Sequence, residues 1–504
     1  MRRRTSRRHQ SVAVPQLRLY FSDHFGVPRR SVERYGAFDI SLVADLPLFI
    51  DPFLLFSSRR PRYRQLHNEI IRYLVFLREK AAGEALPQGL IDSWYRFKEV
   101  KETWLGFSRT GNDGAGLGKD FAAALHSSLT RLFPDFGEKE PITRSSHLEK
   151  LCLIRDRVGR DKISDFTTRL ILSYLCEYTE IFAKTHVARS LRRRFTVQRA
   201  YFDYRTETWR PRKYALPQYR GHFVLLTPID LLTRDETWIN KTEMIDSFED
   251  LPMAVDNVQL RAQVENYFRQ ILRRKRKVKK ADRKAAAAET IRRYPELIDY
   301  YIRLKEETGD EAMSLSRQHV AYSEDVFLRQ AGDLARSLAA HTGFYAIAGN
   351  SYDEAMQRLQ YLKQTIEDRG GWRIFYRHGQ PIEREADVHV LFRLVWFGST
   401  SDVNPEADSG RGPVDFTVSR GAHDKSLVEF KLAGNTHLRR NLQKQVDVYK
   451  KSAGAQKTIK AVVYFTHQQR RRVEAILREL KMAGDPSIVL IDARRDDKPS
   501  GSRA

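Results

Sequence analysis

Cysteine is nearly absent. The 504 residues hold two, Cys152 and Cys176, and no Cys-x-x-Cys pair. That excludes a disulfide framework and a cysteine-built zinc site, and it fits a reducing cytoplasm. Long apolar runs are missing as well. No stretch of about 18 apolar residues occurs, and "DLPLFIDPFLLF" (45–56) is broken by prolines and aspartates, so no membrane segment is expected. The start, "MRRRTSRRHQSVAVPQLRLYF", is basic but has no continuous apolar segment, so a secretory signal is not expected and a cytoplasmic protein is. No internal repeat of 20 to 50 residues is found. The fourteen histidines form no His-Glu-x-x-His or His-x-His group. "GNDGAGLGKDF" (111–121) resembles a phosphate loop, yet Asp113 and Asp120 stand where a Walker A needs glycine and Ser or Thr. A flexible loop is the better reading, and an ATP-driven motor is not expected.

Acid is scarce relative to base. Lys and Arg total 88 against 64 Asp and Glu, a net charge of +24. Such an excess favours a polyanionic partner, because neutralising phosphates releases counterions and steers association. DNA is the expected partner, with RNA the alternative. The hydrophobic share of 41% is enough to bury sizeable cores over a length that spans several domains.

The expected organisation is a basic tail (1–14), a mixed α/β domain of unknown role (15–255), a basic helical connector (256–344), an α/β domain (345–495) and a polar tail (496–504). In the first domain "LHNEIIRYLVFLREKAAG" has helical spacing. "FTTRLILSYLCEYTEIFAKTHVARSLRRRF" reads as one long helix turning basic, and "HFVLLTPIDLL" as the start of a buried strand. "TWRPRKYALPQYRGHF" (208–223) interleaves cations with aromatics, a pattern that suits stacked bases as well as ordinary packing. In the connector, "RRKRKVKKADRKAAAAETIRR" reads as one exposed helix. Arg273, Arg274, Lys275, Arg276, Lys277, Lys279 and Lys280 there are candidate phosphate contacts.

The C-terminal domain carries the chemistry. An apolar helix "EADVHVLFRLVWFG" (385–398) precedes a loop, in which a short strand is expected. The strand "VDFTV" (414–418), the turn "SRGAHDK" and the strand "SLVEFKLA" (426–433) follow. An amphipathic helix with Leu438, Leu442, Val446 and Tyr449 on one stripe leads to the apolar strand "TIKAVVYFT" (458–466), a helix over 468–483 and the strand "SIVLIDA". If the turn centres on Ala422, Asp415 lies opposite Glu429. Glu429 and Lys431, two apart, share a face. Two carboxylates and an ammonium then converge on one patch of sheet. Opposed like charges destabilise a strand pair unless a cation separates them, and Mg²⁺ (or Mn²⁺) suits oxygen ligands.

"GPVDF", thirteen residues, then "EFK" resembles the motif of the PD-(D/E)XK phosphodiesterase superfamily, which includes restriction endonucleases. Here it comprises Pro413, Asp415, Glu429 and Lys431. Val414 separates Pro413 from Asp415, a departure at a degenerate position. The resemblance implies an α-β-β-β-α-β core, and Gln445 and Tyr449 match the Gln-x-x-x-Tyr that some members carry on the next helix. It implies metal binding by Asp415 and Glu429, with Glu385 or Glu406 as a third carboxylate, action of Lys431 on the attacking water, and two paired copies where both strands are cut. The decoys Glu99-Val100-Lys101 and Asp496-Asp497-Lys498 lack a strand partner. Of the two histidines near this patch, His423 is expected as a turn residue and His389 facing helix or solvent. A DNA-cleaving, bacterial defence-type nuclease is the resulting expectation, against a non-catalytic nucleic-acid-binding protein of degenerate nuclease fold or an RNA-cleaving toxin.

Overall fold

The computed structural model describes residues 18–82, 86–106, 122, 125–126, 142–154, 159–234, 236–273, 277–345, 347, 349–377, 380–382, 384–397, 416–419, 424–449 and 457–496. Helix α1 (Pro52–Ser57) starts where the Asp51 carboxylate accepts the Phe53 N–H and proline fills the first turn. In α2 (Pro61–Ala82), Leu66, Ile70, Tyr73, Leu74 and Leu77 recur at helical spacing and are buried. The expected long helix is instead two, α3 (Arg160–Leu170) and α4 (Leu172–His186). Thr167 and Thr168 donate to the carbonyls of Ile163 and Ser164, a back-bonding that bends helices just before the break.

The basic end of that segment is not helical. Arg192–Asp203 (β1) pairs antiparallel with Thr208–Tyr219 (β2), and His222–Phe223 (β3) adds a short third strand. Period-two burial decides it: Val197, Tyr214 and Leu216 are buried while Arg194, Thr196 and Lys213 are exposed. Of the buried strand expected from "HFVLLTPIDLL", His222–Phe223 forms a short strand that is not buried, and Leu232 begins a separate two-residue strand paired with Phe49–Ile50. Between them, Leu225 N–H donates to the Glu102 carbonyl outside any ladder.

Beneath α1 the core holds two carboxyls, Asp51 and Glu149, at 2% and 0% exposure. Burial, then the neighbouring Asp51, pushes Glu149 well above the usual carboxylate range. The folded chain therefore binds a proton that the unfolded chain releases, so this group's contribution falls as pH rises above its unfolded value. Glu149→Gln is expected to raise the melting temperature at pH 8 and change it little at pH 4. A lower melting temperature at pH 8 would show that the carboxylate is required charged.

Helices α5 (Val258–Arg273), α6 (Lys280–Arg293), α7 (Leu297–Glu307), α8 (Gly309–Ser323) and α9 (Ala331–His341) follow, with a π-helical turn, Glu324–Gln330, joining the last two. The basic run is thus not one helix. Like charges three and four apart disfavour its continuation, and a new start forms where Asp282 accepts the Lys279 N–H. Helix α8 packs on α1, and α9 packs on the helix at 385–397, so the connector is part of a continuous core.

The C-terminal part contains α10 (Ser351–Asp368), α11 (Glu385–Phe397), β4 (Phe416–Ser419), β5 (Lys425–Leu432), α12 (Leu438–Tyr449), β6 (Lys457–Tyr464), α13 (His467–Glu479) and β7 (Ile488–Asp492). The sheet order is β7-β6-β5-β4, with β6 parallel to both neighbours and β4 antiparallel to β5. Ile459, Ala461 and Val463 join the main core on one face. Val462 and Tyr464 pack with Leu438, Leu442 and Val473 on the other. Burial on both faces is why β6 reads as an unbroken apolar run. The chain is mixed α/β. The expected loop strand, and with it Glu406 and Pro413, lies outside the described residues.

Candidate functional site

The β4–β5 register is Phe416↔Val428, Thr417↔Leu427, Val418↔Ser426 and Ser419↔Lys425. This ladder is centred on position 422, although Ser419 and Lys425 are strand residues rather than turn. Its next step is Asp415, which lies outside the described residues together with His423. Asp424 fixes the hairpin end by accepting from the N–H and hydroxyl of Ser351, at the start of α10.

Alternation along β5 separates two environments. Ser426, Val428 and Phe430 face α10 and α11: the Ser426 and Ser351 hydroxyls are 2.8 Å apart, and Phe430 stacks on Phe392 with centroids 4.0 Å apart. Leu427, Glu429 and Lys431 take the opposite face, that of α12 and α13. Glu429 is 1% exposed, and its in-register neighbour on β6 is Lys460, itself buried. Burial lowers the Lys460 ammonium below its ordinary pKa, against the raising effect of Glu429 and Asp485. Lys460 was not singled out in the sequence, though it is the one cation inside "TIKAVVYFT".

Glu385 opens α11 and reaches the same end of the sheet. Its Oε1 lies 3.8 Å from Lys431 Nζ and 3.5 Å from His389 Nε2, and Asn435 Nδ2 donates to its Oε2. Burial pushes this carboxyl up, but hydrogen bonds from His389 and Asn435 and the charges of His389 and Lys431 together hold it below the usual range. His389 Nε2 is also 2.7 Å from the Phe430 carbonyl, which requires that nitrogen to carry the proton. His389, half-buried on α11, is therefore part of the frame around Lys431. Asn435 was likewise missed. It follows "EFKLAG" directly, and its backbone N–H closes a turn on the Leu432 carbonyl.

Gln445 and Tyr449 lie in the last turns of α12; their side chains are outside the described set. Of the basic candidates, Arg273 ends α5, Lys277 and Lys279 precede α6, and Lys280 opens it, all exposed. Arg274, Lys275 and Arg276 are not described. Among the described residues no three His, Cys, Asp or Glu side chains gather as a metal cage, and no helix is long and apolar enough to cross a membrane. Glu429 and Glu385 offer hard oxygen donors, and Mg²⁺ takes as few as one or two carboxylates.

Two family models match the chain. One, described as a domain of unknown function (DUF8370), covers residues 26–240, and the other, a domain of unknown function (DUF8371), covers 351–467. The second match contains Glu385, Glu429, Lys431 and Lys460. No curated protein and no solved structure matches the chain.

Proposed function

We propose that the C-terminal sheet is the catalytic centre of a metal-dependent nuclease that hydrolyses phosphodiester bonds of DNA. The observation that carries this reading is the buried Glu429 and the nearby Lys431 on one face of β5, with Glu385 beside Lys431. Burying a carboxylate in an apolar strand costs several kcal/mol unless its charge is compensated; the buried Lys460 beside Glu429 compensates it in part, and a divalent ion would add to that.

Glu429, with Asp415 and Glu385, would hold Mg²⁺ or Mn²⁺. Such an ion, when bound, polarises a phosphoryl oxygen and makes water a better nucleophile at neutral pH. The chain's own contribution is positional. Lys431, held by Glu385, presents an ammonium to the charge that builds on phosphorus, or to the attacking water. His389 and Asn435 fix Glu385, and Gln445 and Tyr449 would shape the site from α12. The basic surface supplies the attraction for the polyanion. By resemblance, the biological setting is restriction or anti-phage defence in a bacterial cytoplasm, and two copies would act together on a duplex.

One observation favours a second reading. Lys460 beside Glu429 supplies a compensating charge of the kind a degenerate, non-catalytic nuclease fold would keep. Calorimetry separates the two: the nuclease binds Mg²⁺ or Mn²⁺ with a signal that Glu429→Gln removes, whereas the degenerate fold gives none. Purified protein with either ion should cut one or more of supercoiled DNA, linear duplex and single strands. Cleavage of RNA alone would move the assignment to a ribonuclease, and cleavage of nothing, with no ion bound, would overturn it.

A further inference from the structure

A cleft far from β5 in sequence lies in the N-terminal half of the chain. Between Tyr219 and Phe223, where β2 turns into β3, an aromatic cleft of about 180 Å³ opens. Trp104, Tyr219 and Phe223 line it together with Glu102, Arg220 and His222. The Trp104 and Tyr219 rings are 6.0 Å apart, and Phe223 lies 5.5 Å from Phe195 of β1, which ties the cleft to the ribbon. Two lining residues hold left-handed backbone, Trp104 at φ 54° and Arg220 at φ 47°. Side chains larger than glycine rarely adopt that conformation, and bulky ones persist there where the surroundings over-determine them.

The ribbon is strongly basic. From Arg189 to His222 ten Lys and Arg stand against two acids, Asp203 and Glu207. Both acids sit at the far turn, where Arg210 and Lys80 pair with them at 3.7 and 2.7 Å. The near end carries Arg192, Arg193 and Arg194, in register with Pro217, Leu216 and Ala215, only a few residues from the cleft. Arg193, Arg194 and Lys213 are exposed.

We propose that this cleft takes one unstacked base of a single-stranded nucleic acid whose phosphates run over Arg192, Arg194 and Lys213, which share one face of the ribbon. Size argues for one ring system: whole-ligand pockets run from roughly 300 to 1,000 Å³, so the sugar and phosphate must lie outside, where the arginines are. Aromatic walls bind the π-face of any base, and cations beside them track the backbone. A base inside a duplex is stacked and cannot enter, so the single strand is the occupant. An anionic lipid or an acidic protein would use the cations and leave the aromatic cleft without a role.

Fluorescence anisotropy with an oligonucleotide of about 12 nucleotides tests this on the full chain in EDTA, where binding is read without hydrolysis and independently of the nuclease assignment. The single strand should bind about tenfold tighter than a duplex of the same length. Arg192→Glu/Arg194→Glu should weaken binding at least tenfold, and the salt dependence should lose about 0.7 in slope per phosphate contact removed. Trp104→Ala should keep the salt slope and lose the single-strand preference. Should that variant misfold, an abasic site walked along the strand makes the same test on unaltered protein, with one position expected to weaken binding. Unchanged binding by the double arginine variant, abasic indifference at every position, or equal competition by heparin or anionic vesicles would overturn the proposal.

Discussion

Lys431→Ala is expected to slow phosphodiester cleavage by a hundredfold or more while leaving the melting temperature close to that of the unaltered chain. Removing a charge that stabilises the transition state costs about 10²–10³ in rate. The stability cost is small because Lys431 is partly exposed and its contact with Glu385 is a loose 3.8 Å, the kind of ion pair worth at most about 1 kcal/mol. Glu429→Gln behaves differently. It keeps the volume, removes the charge, and leaves Lys460 buried beside a neutral amide. Cleavage and the divalent-ion signal should both vanish, and the Lys460 pKa should drop further as its charge partner is lost. Single-turnover cleavage of a labelled duplex, run beside thermal melts, reads all of this. If Lys431→Ala and Asp415→Ala both cut like the parent, the site is not on β5.

The largest expected loss of stability comes from a residue with no catalytic part. Arg358 in α10 is 0% exposed, its Nη2 is 2.8 Å from Glu354 Oε1, and its guanidinium lies 5.3 Å from the Phe344 ring and 5.8 Å from that of Trp396. Glu354 is also buried. Breaking such a pair from one side costs about 3–5 kcal/mol, because the remaining charge stays desolvated. Domains of this kind have only about 5–15 kcal/mol in total. Arg358→Ala should therefore lower the urea midpoint sharply. Arg358→Met combined with Glu354→Leu should recover most of that loss, since two apolar side chains need no partner. A single variant that unfolds at the parental midpoint would show that the cation contributes nothing to the fold.

What could be read in advance followed periodicity. The hairpin centred on 422, helix α11 and the apolar β6 all sit where alternation and helical spacing put them, because one or both faces of each are buried. The failures have a common origin. "SLRRRF" continues a helical segment in charge pattern, yet Phe195 and Val197 pack on the period-two face of a ribbon whose partner strand is some twenty residues downstream. The basic run at 273–280 has high helix propensity after it but no apolar stripe within it, so nothing holds it in one helix. The site shows the same division. Glu429 and Lys431 were legible as charges inside an apolar strand. Lys460, His389 and Asn435 became neighbours only through the β5–β6 register and the packing of α11, which no local pattern encodes.

The alternation of β5 has a consequence for how the chain can change. Glu429 and Lys431 share the odd face with Leu427, and Val428 and Phe430 share the even face with Ser426, so the proposed chemistry and the packing on Phe392 lie on one strand as two interleaved parities. A substitution alters one letter of one message. An inserted or deleted residue before Glu429 exchanges them, sending Glu429 and Lys431 against Phe392 and turning Phe430 toward α12. Length changes within Lys425–Leu432 should therefore be lethal to fold and site together, whereas conservative replacements on either parity can be tolerated singly.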